Sequence, residues 1–325
     1  MALSVKKLTS RPERLAPGHR ACAGCTAPIA LRHALRATEG NLVIGFATGC
    51  MEVSTTIYPF TSWRTSYIHN AFENVAATIS GVETAYRALK KRGRMKADHK
   101  FIAFGGDGGT YDIGLQSLSG ALERGHNMVY ICYDNEAYMN TGIQRSGSTP
   151  LGAHTMTAQA GTVKQGKEQL AKDLTQIVIA HNIPYVAQAS IHNVGDYASK
   201  VEKALNVQGP AFINVLTPCH RGWRCKVEDS VEVARVAVET CFWPLFEVED
   251  HKWKVNYKPK EKRPITDWLK MQGRFKHLFD GKRDDIIQRL QEETDRRWAA
   301  ILKRAEESAA AAPAQGKPQQ AQQAP

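Results

Sequence analysis

The sequence predicts an α/β protein built on a doubly wound, mostly parallel β-sheet with a helical C-terminal extension. Short apolar runs alternate with segments of helical periodicity between residues 26 and 216, a pattern typical of βαβ units. Glycine-rich or polar stretches follow several of these runs, where the ligands of such sheets bind. Beyond Asp229 the strand pattern fades and helical periodicity dominates.

The individual elements follow from the apolar runs and their spacing. Apolar runs predict strands at 42–46, 100–104, 128–133, 184–189 and 211–216. Periodic segments predict helices at 26–37, 72–89, 113–124, 168–181 and 194–207. Near the C-terminus we expect helices at 231–242, 265–279 and 284–307, with an extended segment at 246–257. Thr26 is expected to cap the first helix, and the long loop at 136–166 is of a length that is usually functional.

We divide the chain into three parts. Residues 1–228 form the α/β domain that carries the motifs described below. Residues 229–307 are expected to form a helical arm that contacts other subunits. Residues 308–325 consist mainly of Ala, Gln and Pro and are expected to be disordered.

Composition and charge exclude several classes of protein. Hydrophobic residues make up 42% and charged residues 23% of the 325 positions, which is ordinary for a globular protein. No apolar run approaches the roughly 20 residues of a membrane span, and the N-terminus lacks the apolar core of a signal peptide. We therefore expect a cytoplasmic protein. The basic residues behind the net charge of +11 are dispersed and form no nucleic-acid motif, so no nucleic-acid partner is expected.

A glycine-rich motif after the strand at 100–104 predicts a diphosphate site. Residues 105–109 read GGDGG, and Asn135 stands 28 residues beyond Asp107, after the next predicted strand. The glycines let the backbone approach phosphate oxygens, and the following helix offers N–H groups to the same anion. A bare carboxylate about 4 Å from a phosphate would be repelled by roughly 4 kcal/mol. Asp107 and Asn135 are therefore expected to bind Mg²⁺, although a glycine-rich turn of any doubly wound domain is the alternative.

Four cysteines in predicted loops form a second candidate site. Cys22 and Cys25 make a Cys-x-x-Cys pair before the first helix, and Cys50 and Cys219 each follow a predicted strand. Four such thiolates can hold a [4Fe–4S] cluster or a structural Zn²⁺, and the spacing alone does not decide between them. A disulfide framework is not expected in a chain of this size without a signal peptide.

The other three cysteines have different expected roles. Cys132 lies within an apolar strand and Cys241 on a predicted helix, so both are expected in the core. Cys225 is close to Cys219 in sequence and is its rival as the fourth ligand.

Taken together, the motifs resemble the β subunits of the 2-oxoacid:ferredoxin oxidoreductases, most nearly those of the pyruvate enzymes. The resemblance spans roughly residues 15–225 and is most specific in the run YDNEAYMNTGIQ at 133–144. It implies a thiamine diphosphate-binding fold, favours an iron–sulfur cluster over zinc, and favours Cys219 in its Thr-Pro-Cys setting over Cys225.

The resemblance also implies a role for each candidate residue. The thiamine diphosphate would be lined by Cys50, Gly106, Gly108, Gly109 and Asn140. The Mg²⁺ would be held by Asp107, the Asn135 side chain and the Ala137 carbonyl. The [4Fe–4S] cluster would be held by Cys22, Cys25, Cys50 and Cys219.

The implied activity is oxidative decarboxylation of a 2-oxoacid, pyruvate by default, to acyl-CoA and CO2, with electrons passed to ferredoxin or another acceptor. Alternatives are the same reaction on 2-oxoglutarate, indolepyruvate or phenylglyoxylate, a non-redox thiamine diphosphate decarboxylase with structural zinc, and a non-catalytic iron–sulfur subunit. The resemblance places the glutamate that activates the aminopyrimidine, and most of the substrate pocket, on a partner α subunit. It also implies γ and ferredoxin-like δ subunits or their equivalents, so we expect the chain alone to be inactive.

A basic run at 251–263 has two interpretations. It contains Lys252, Lys254, Lys258, Lys260, Lys262 and Arg263 against the single acid Glu261. The run is either a solvated linker or subunit-docking surface, or it steers an acidic electron carrier such as ferredoxin.

Overall fold

The computed structural model describes residues 5–311, and strands and helices alternate through most of this range. The strands are β1 Asn41–Ala47, β2 Ser66–Asn70, β3 His99–Gly106, β4 Val129–Asp134, β5 Tyr185–Ser190, β6 Ala211–Leu216, β7 Phe246–Glu249 and β8 Lys252–Val255. The first seven α-helices are α1 Val5–Thr9, α2 Ala27–Arg36, α3 Cys50–Thr55, α4 Val75–Lys91, α5 Leu115–Glu123, α6 Leu174–Ile179 and α7 Val194–Ala204. The others are α8 His220–Trp223, α9 Ser230–Glu239, α10 Ile265–Lys270, α11 Lys276–Asp280 and α12 Asp284–Ala310.

All eight strands form one sheet in the order β2-β1-β3-β4-β6-β5-β7-β8. The first six strands in chain order pair in parallel, whereas β7 runs antiparallel to β5 and β8 antiparallel to β7. Every residue of β4, β5 and β6 is buried, as expected for parallel strands covered on both faces. The predicted fold class, a mostly parallel α/β sheet, is confirmed.

Helices cover both faces of this sheet because alternate strand residues point to opposite sides. On one face Ile131 and Ile213 pack with Leu31 of α2 and Val201 of α7. On the other, residues of the same strands pack with α4, α5 and α6, and the buried thiol of Cys132 belongs to this layer. Cys241 is also buried, so both predictions of core cysteines are confirmed.

The strand order places the loops that carry the motifs side by side. Cys50 follows β1, Asp107 follows β3, Asn135 follows β4 and Cys219 follows β6. These four strands are consecutive neighbours in the sheet, about 4.8 Å apart, and all run the same way. Their carboxyl ends therefore meet at one edge, which is where ligands of such sheets bind.

The C-terminal segment is not wholly helical. The predicted extended segment 246–257 forms the hairpin β7–β8, which turns at Asp250 and His251, both with positive φ, and adds to the sheet beside β5. The predicted helix 265–279 is divided into α10, a single 3₁₀ turn at Gly273–Phe275, and α11. The boundary at residue 228 stays a prediction. Residues 308–310 of the predicted tail lie in α12, and residues 312–325 lie outside the described range.

Other differences from the sequence predictions have local causes. The helix predicted at 168–181 begins only at Leu174, because Asp173 accepts a hydrogen bond from the Gln176 N–H (3.2 Å) and caps it there. Strand β2 and the helices α1, α3 and α8 were not predicted. No helix within residues 5–311 is both long and apolar enough to cross a bilayer.

Candidate functional site

A cavity of about 130 Å³ lies at the carboxyl ends of β1, β3 and β4. Its walls come mainly from the ends of these strands and the loops that follow them, and they include glycines as well as large side chains. It contains every residue predicted to bind the coenzyme or its cation: Cys50, Gly106, Asp107, Gly108, Gly109, Asn135, Ala137 and Asn140. The remaining lining residues are Thr48, Gly49, Phe72, Tyr133, Tyr138, Met139 and Thr141.

One wall of the cavity depends on Gly108. A Cβ at this position would stand 2.4 Å from the Tyr138 ring, so only glycine allows the ring to approach the backbone. The Tyr138 hydroxyl lies 3.0 Å from Asp112 Oδ2 and 3.1 Å from the Gly108 carbonyl oxygen, both acceptors. Residues Gly108–Ile113 form a π-helical turn before α5, whereas the sequence predicted a glycine-rich turn and a helix that begins at residue 113. Such turns often mark functional sites.

Asp107 is buried at the centre of the site with few compensating groups. Its Oδ1 accepts a hydrogen bond from the Asn135 N–H (3.3 Å), and its Oδ2 accepts one from the Ser146 hydroxyl (2.6 Å). Burial, and then the nearby charge of Asp134, hold the pKa of Asp107 well above its ordinary value. A cation in contact with the carboxylate would favour its charged form.

Two further potential ligands for such a cation lie beside Asp107, which makes three in all. The Asn135 side-chain amide lies 3.0 Å from Asp107 Oδ1 and 2.8 Å from the Ala137 carbonyl oxygen. Rotating the Asn135 amide by half a turn exchanges its NH₂ group and its carbonyl oxygen. In one orientation the NH₂ group donates to both oxygens, and in the other the carbonyl oxygen completes a set of three oxygens. Neighbouring ligands of an octahedral Mg²⁺ at 2.0–2.1 Å stand about 2.9 Å apart. The donor set therefore fits Mg²⁺ in chemistry and spacing.

The three loops that carry the candidate cluster cysteines are tied together. The Thr26 hydroxyl, next to Cys25, donates to the carbonyl of Pro218, next to Cys219 (2.8 Å). The Arg20 N–H donates to the carbonyl of Ser54 in α3, the helix that begins at Cys50 (2.8 Å). Thr26 is the N-cap residue of α2, as predicted, but its side chain makes no capping hydrogen bond, because the hydroxyl makes this long-range bond instead.

The thiols influence one another electrostatically. Burial raises the pKa of Cys25 and of Cys50 to about 12, and for both the charges of Cys219 and Cys22 add to the effect. Asp107 also raises the pKa of Cys50, which is thus close to both candidate sites. Burial, with a smaller contribution from Cys219, raises the pKa of Cys225 as well.

The thiols are not grouped like the ligands of a single ion. Within residues 5–311, no three His, Cys, Asp or Glu side chains lie close enough together to bind one metal ion. The ligands of a tetrahedral zinc site converge on one ion. In an iron–sulfur cubane each thiolate binds a different iron atom, so its sulfur atoms lie farther apart. The Mg²⁺ donor set is compatible with the same result, since it includes only one carboxylate.

Several residues that contact the site were not identified from the sequence. Ser146 orients Asp107, Trp223 donates its indole N–H to the Asn135 carbonyl (2.7 Å), and Arg274 forms a buried ion pair with Glu136. Ser146 closes the stretch 133–146 that carries the family resemblance, but no role was predicted for it. Arg274 has no local sequence signal, because it meets Glu136 from a distant part of the chain.

Part of the basic run is neutralised within the protein. Lys254 pairs with Glu247, Lys262 with Asp295, and Arg263 with Glu239 and Asp267. The exposed residues Lys252, Lys258 and Lys260 make no ion pair in the described part of the chain.

Comparisons with known proteins identify the family of the chain. Residues 47–215 match the model of the thiamine pyrophosphate enzyme C-terminal TPP-binding domain. Pyruvate synthase subunit PorB of Thermotoga maritima is 52% identical, and the alignment covers 93% of this chain and 96% of that one. Ketoisovalerate oxidoreductase subunit VorB of Pyrococcus furiosus is 43% identical, with 93% and 97% covered.

A solved structure shares the fold. A chain of 2-oxoglutarate:ferredoxin oxidoreductase from Magnetococcus marinus superposes with a TM-score of 0.54 at 18% identity, over 72% of this chain and 81% of that chain. At this identity the match supports the fold alone.

Proposed function

The chain belongs to the family of PorB subunits of pyruvate synthase, a 2-oxoacid:ferredoxin oxidoreductase. We propose that it is the thiamine diphosphate-binding subunit of an enzyme that converts pyruvate and coenzyme A to acetyl-CoA, CO2 and a proton while two electrons reduce an acceptor. The observation that carries the proposal is the convergence of Asp107, the Asn135 amide and the Ala137 carbonyl in a glycine-lined cavity. Thiamine diphosphate, when bound, supplies the electron sink for loss of the carboxyl group.

The chain's own residues hold and orient the coenzyme. Main-chain groups of Gly106, Gly108 and Gly109, with the Asn140 side chain, bind the diphosphate, since glycine permits close approach. Asp107, Asn135 and Ala137 hold the Mg²⁺ that neutralises it. The Tyr138 ring, locked by its hydroxyl, closes the wall over Gly108 and keeps water from the diphosphate.

We also propose that Cys22, Cys25, Cys50 and Cys219 hold one [4Fe–4S] cluster. Two observations support this proposal. The loops that carry these cysteines are hydrogen-bonded to one another. The charges of Cys219 and Cys22 add to burial in raising the pKa of both Cys25 and Cys50. Cys50 lines the coenzyme cavity as well. A cluster held by these thiols would adjoin the coenzyme and could accept its electrons.

A partner subunit completes the active site in this proposal. Of the residues that line the cavity in the described chain, only Asp107 has a carboxylate, and none is Lys, Arg or His. The carboxylate that activates the aminopyrimidine and the cation that binds the substrate carboxylate must then come from elsewhere. An α subunit supplies both in this proposal, and γ and ferredoxin-like δ subunits or their equivalents complete the assembly, the ferredoxin-like subunit carrying the electrons on to ferredoxin. The isolated chain should oxidise no 2-oxoacid.

The choice of pyruvate rests on the relatives rather than on the cavity. The pyruvate relative is more similar to this chain than the ketoisovalerate relative, at 52% against 43% identity. A panel of 2-oxoacids with coenzyme A, read by viologen reduction in the assembled complex, should show the highest kcat/KM for pyruvate. A preference for a branched-chain, aromatic or dicarboxylic 2-oxoacid would contradict the substrate assignment while leaving the reaction class intact.

The coenzyme site is tested by Asp107→Ala in the assembled complex. Calorimetric titration with thiamine diphosphate should show Mg²⁺-dependent binding in the wild type and none in the variant, because the carboxylate that holds the cation is gone. Asp98→Ala removes a fully exposed carboxylate and should bind normally. Normal binding by Asp107→Ala would overturn the proposal.

The cluster is tested by the matched pair Cys219→Ser and Cys225→Ser. Iron and sulfide analysis, together with visible absorption, should show that some or all of the four iron atoms are lost in Cys219→Ser but not in Cys225→Ser. Zinc in place of iron in the anaerobically purified wild type, or loss caused by Cys225→Ser alone, would refute the assignment.

A further inference from the structure

The segment that carries two of the three cation ligands adopts an unusual backbone conformation. Glu136, between Asn135 and Ala137, has φ +65°, a left-handed conformation uncommon for a residue with a side chain. This turn brings the Asn135 amide within 2.8 Å of the Ala137 carbonyl. Because such a conformation persists only where its surroundings impose it, the groups that hold it also hold the cation site.

The main-chain polar groups of residues 135 and 136 are all hydrogen-bonded. The Asn135 N–H donates to Asp107, and its carbonyl accepts from the Trp223 indole (2.7 Å). The Glu136 N–H donates to Asp134 (2.9 Å), and its carbonyl accepts from the Thr149 hydroxyl (2.6 Å). These bonds come from four different parts of the chain and clamp the turn on both sides.

The Glu136 side chain is held from the C-terminal segment. Its carboxylate forms an ion pair with Arg274 of the 3₁₀ turn, and both side chains are almost fully buried (1% and 2% exposed). The same guanidinium lies 4.0 Å from the centre of the Trp223 ring and hydrogen-bonds Gln272. Arg274 thus contacts both Glu136 and the tryptophan that binds the Asn135 carbonyl.

We infer that Arg274 is a positioning residue for the cation site, holding the turn at 135–137 through Glu136 and Trp223 so that two ligands face Asp107. The C-terminal segment is then part of the coenzyme site rather than an arm for subunit contacts alone. The planar, forked guanidinium suits this task, because it pairs with a carboxylate and stacks on an indole at once. The inference rests on the proposed cation site and adds a residue to it.

The test measures cation binding in the assembled complex with Mn²⁺ as the probe. Mn²⁺ bound in the presence of thiamine diphosphate is counted from the loss of the free-ion EPR signal. Arg274→Lys keeps the charge but loses the fork and the stacking, so the Mn²⁺ affinity should fall roughly 10- to 100-fold, as is usual when a group that orients a metal ligand is changed. Adding Glu136→Gln to Arg274→Lys should lower the Mn²⁺ affinity little further, because both substitutions disrupt the same contact.

Lys200→Met is the matched control. Lys200 is equally buried and pairs with Asp196 (2.7 Å), but it lies in α7 and does not contact the turn. The Lys200→Met substitution should lower the melting temperature of the complex without changing its Mn²⁺ affinity. Equal affinity loss in the control, or wild-type affinity in Arg274→Lys, would overturn the inference.

Two further outcomes are distinguishable. If Arg274→Lys does not fold, Trp223→Phe carries the test: it removes the bond to the Asn135 carbonyl, should lower the affinity, and overturns the inference if it does not. A wild-type complex that binds no Mn²⁺ with thiamine diphosphate would instead refute the proposed function and the inference with it.

Discussion

The wall of the coenzyme cavity at Gly108 depends on a single missing side chain. The Tyr138 ring occupies the space that a Cβ would need, and its hydroxyl is fixed by Asp112, which also accepts from the Gly147 N–H (2.8 Å) and from Lys172 (2.6 Å). The sequence motif predicted Gly108 as a residue that approaches phosphate. The structure adds that the same glycine admits the tyrosine that encloses the site.

We expect Gly108→Ala to weaken coenzyme binding and to destabilise the fold by about 1–3 kcal/mol, the usual range for an overpacked site. The added methyl group would displace the Tyr138 ring from the cavity wall. Urea unfolding and thiamine diphosphate titration measure the two effects.

The control is Gly81→Ala in the middle of α4. No heavy atom lies within 4 Å of a Cβ built there, so this change should stabilise the protein by roughly 0.5–1 kcal/mol through helix propensity. Unchanged coenzyme binding in Gly108→Ala would show that the Tyr138 ring does not form the wall.

At the scale of elements, the hairpin β7–β8 is anchored by one buried carboxylate. Glu247 of β7 accepts hydrogen bonds from Tyr185 of β5 (2.7 Å), Lys203 of α7 (2.9 Å) and Asn256 (3.1 Å). Burial acts to raise its pKa, but these three hydrogen bonds outweigh that effect and lower the pKa to about 2. The contact explains why a short, partly exposed hairpin continues the sheet.

This lowered pKa predicts a pH dependence of stability. A carboxyl group whose folded-state pKa lies below its unfolded value stabilises the fold above the unfolded pKa, near 4.5, and loses this contribution as the pH falls toward 2. Between pH 6 and pH 3 the loss should amount to about 2 kcal/mol.

Glu247→Gln should remove this component of the acid sensitivity. The variant is expected to be less stable than the wild type at pH 6, with a difference in unfolding free energy that narrows by about 2 kcal/mol at pH 3. Urea titrations of both chains at several pH values measure it. Parallel curves at all pH values would contradict the assignment.

Helices and strands were predicted correctly where the local sequence pattern was strong, and incorrectly where tertiary contacts determine the local structure. The buried runs of β4, β5 and β6 were recognised from composition and length. Strand β2, with sequence SYIHN and mostly exposed or half-exposed side chains, has no apolar alternation and was missed. The run at 168–173 was assigned to a helix, although the Lys172 N–H is hydrogen-bonded to the Gly147 carbonyl (2.9 Å) in a loop.

For the whole molecule, the net charge of +11 bears on its redox partner. Three of the six Lys and Arg residues in the basic run at 251–263 are paired internally, but Lys252, Lys258 and Lys260 remain exposed and make no ion pair in the described range. Exposed cations of this kind raise association rates with an acidic protein and act less at high salt. They are the part of the run suited to attract ferredoxin.

Lys258→Glu with Lys260→Glu should therefore raise the KM of the complex for an acidic ferredoxin on the order of tenfold at low salt. Activity with a small viologen dye should be unchanged, because the coenzyme site is untouched. Lys91→Glu with Lys96→Glu, which reverses two exposed charges near the end of α4, is the control. An equal KM rise in the control would indicate a general charge effect and no docking site.

Local patterns were sufficient to predict the α/β class, the principal parallel strands and the glycines, Asp107 and Asn135 of the coenzyme cavity, and the family resemblance added Cys50, Ala137 and Asn140. This is possible because apolar periodicity and glycine-rich turns are recognisable within a few consecutive residues, and because ligands bind where parallel strands end. The order of the strands, which sets β1, β3, β4 and β6 side by side, came from long-range packing. So did the contact of Arg274 with Glu136, since a buried ion pair between distant segments leaves no pattern in either one.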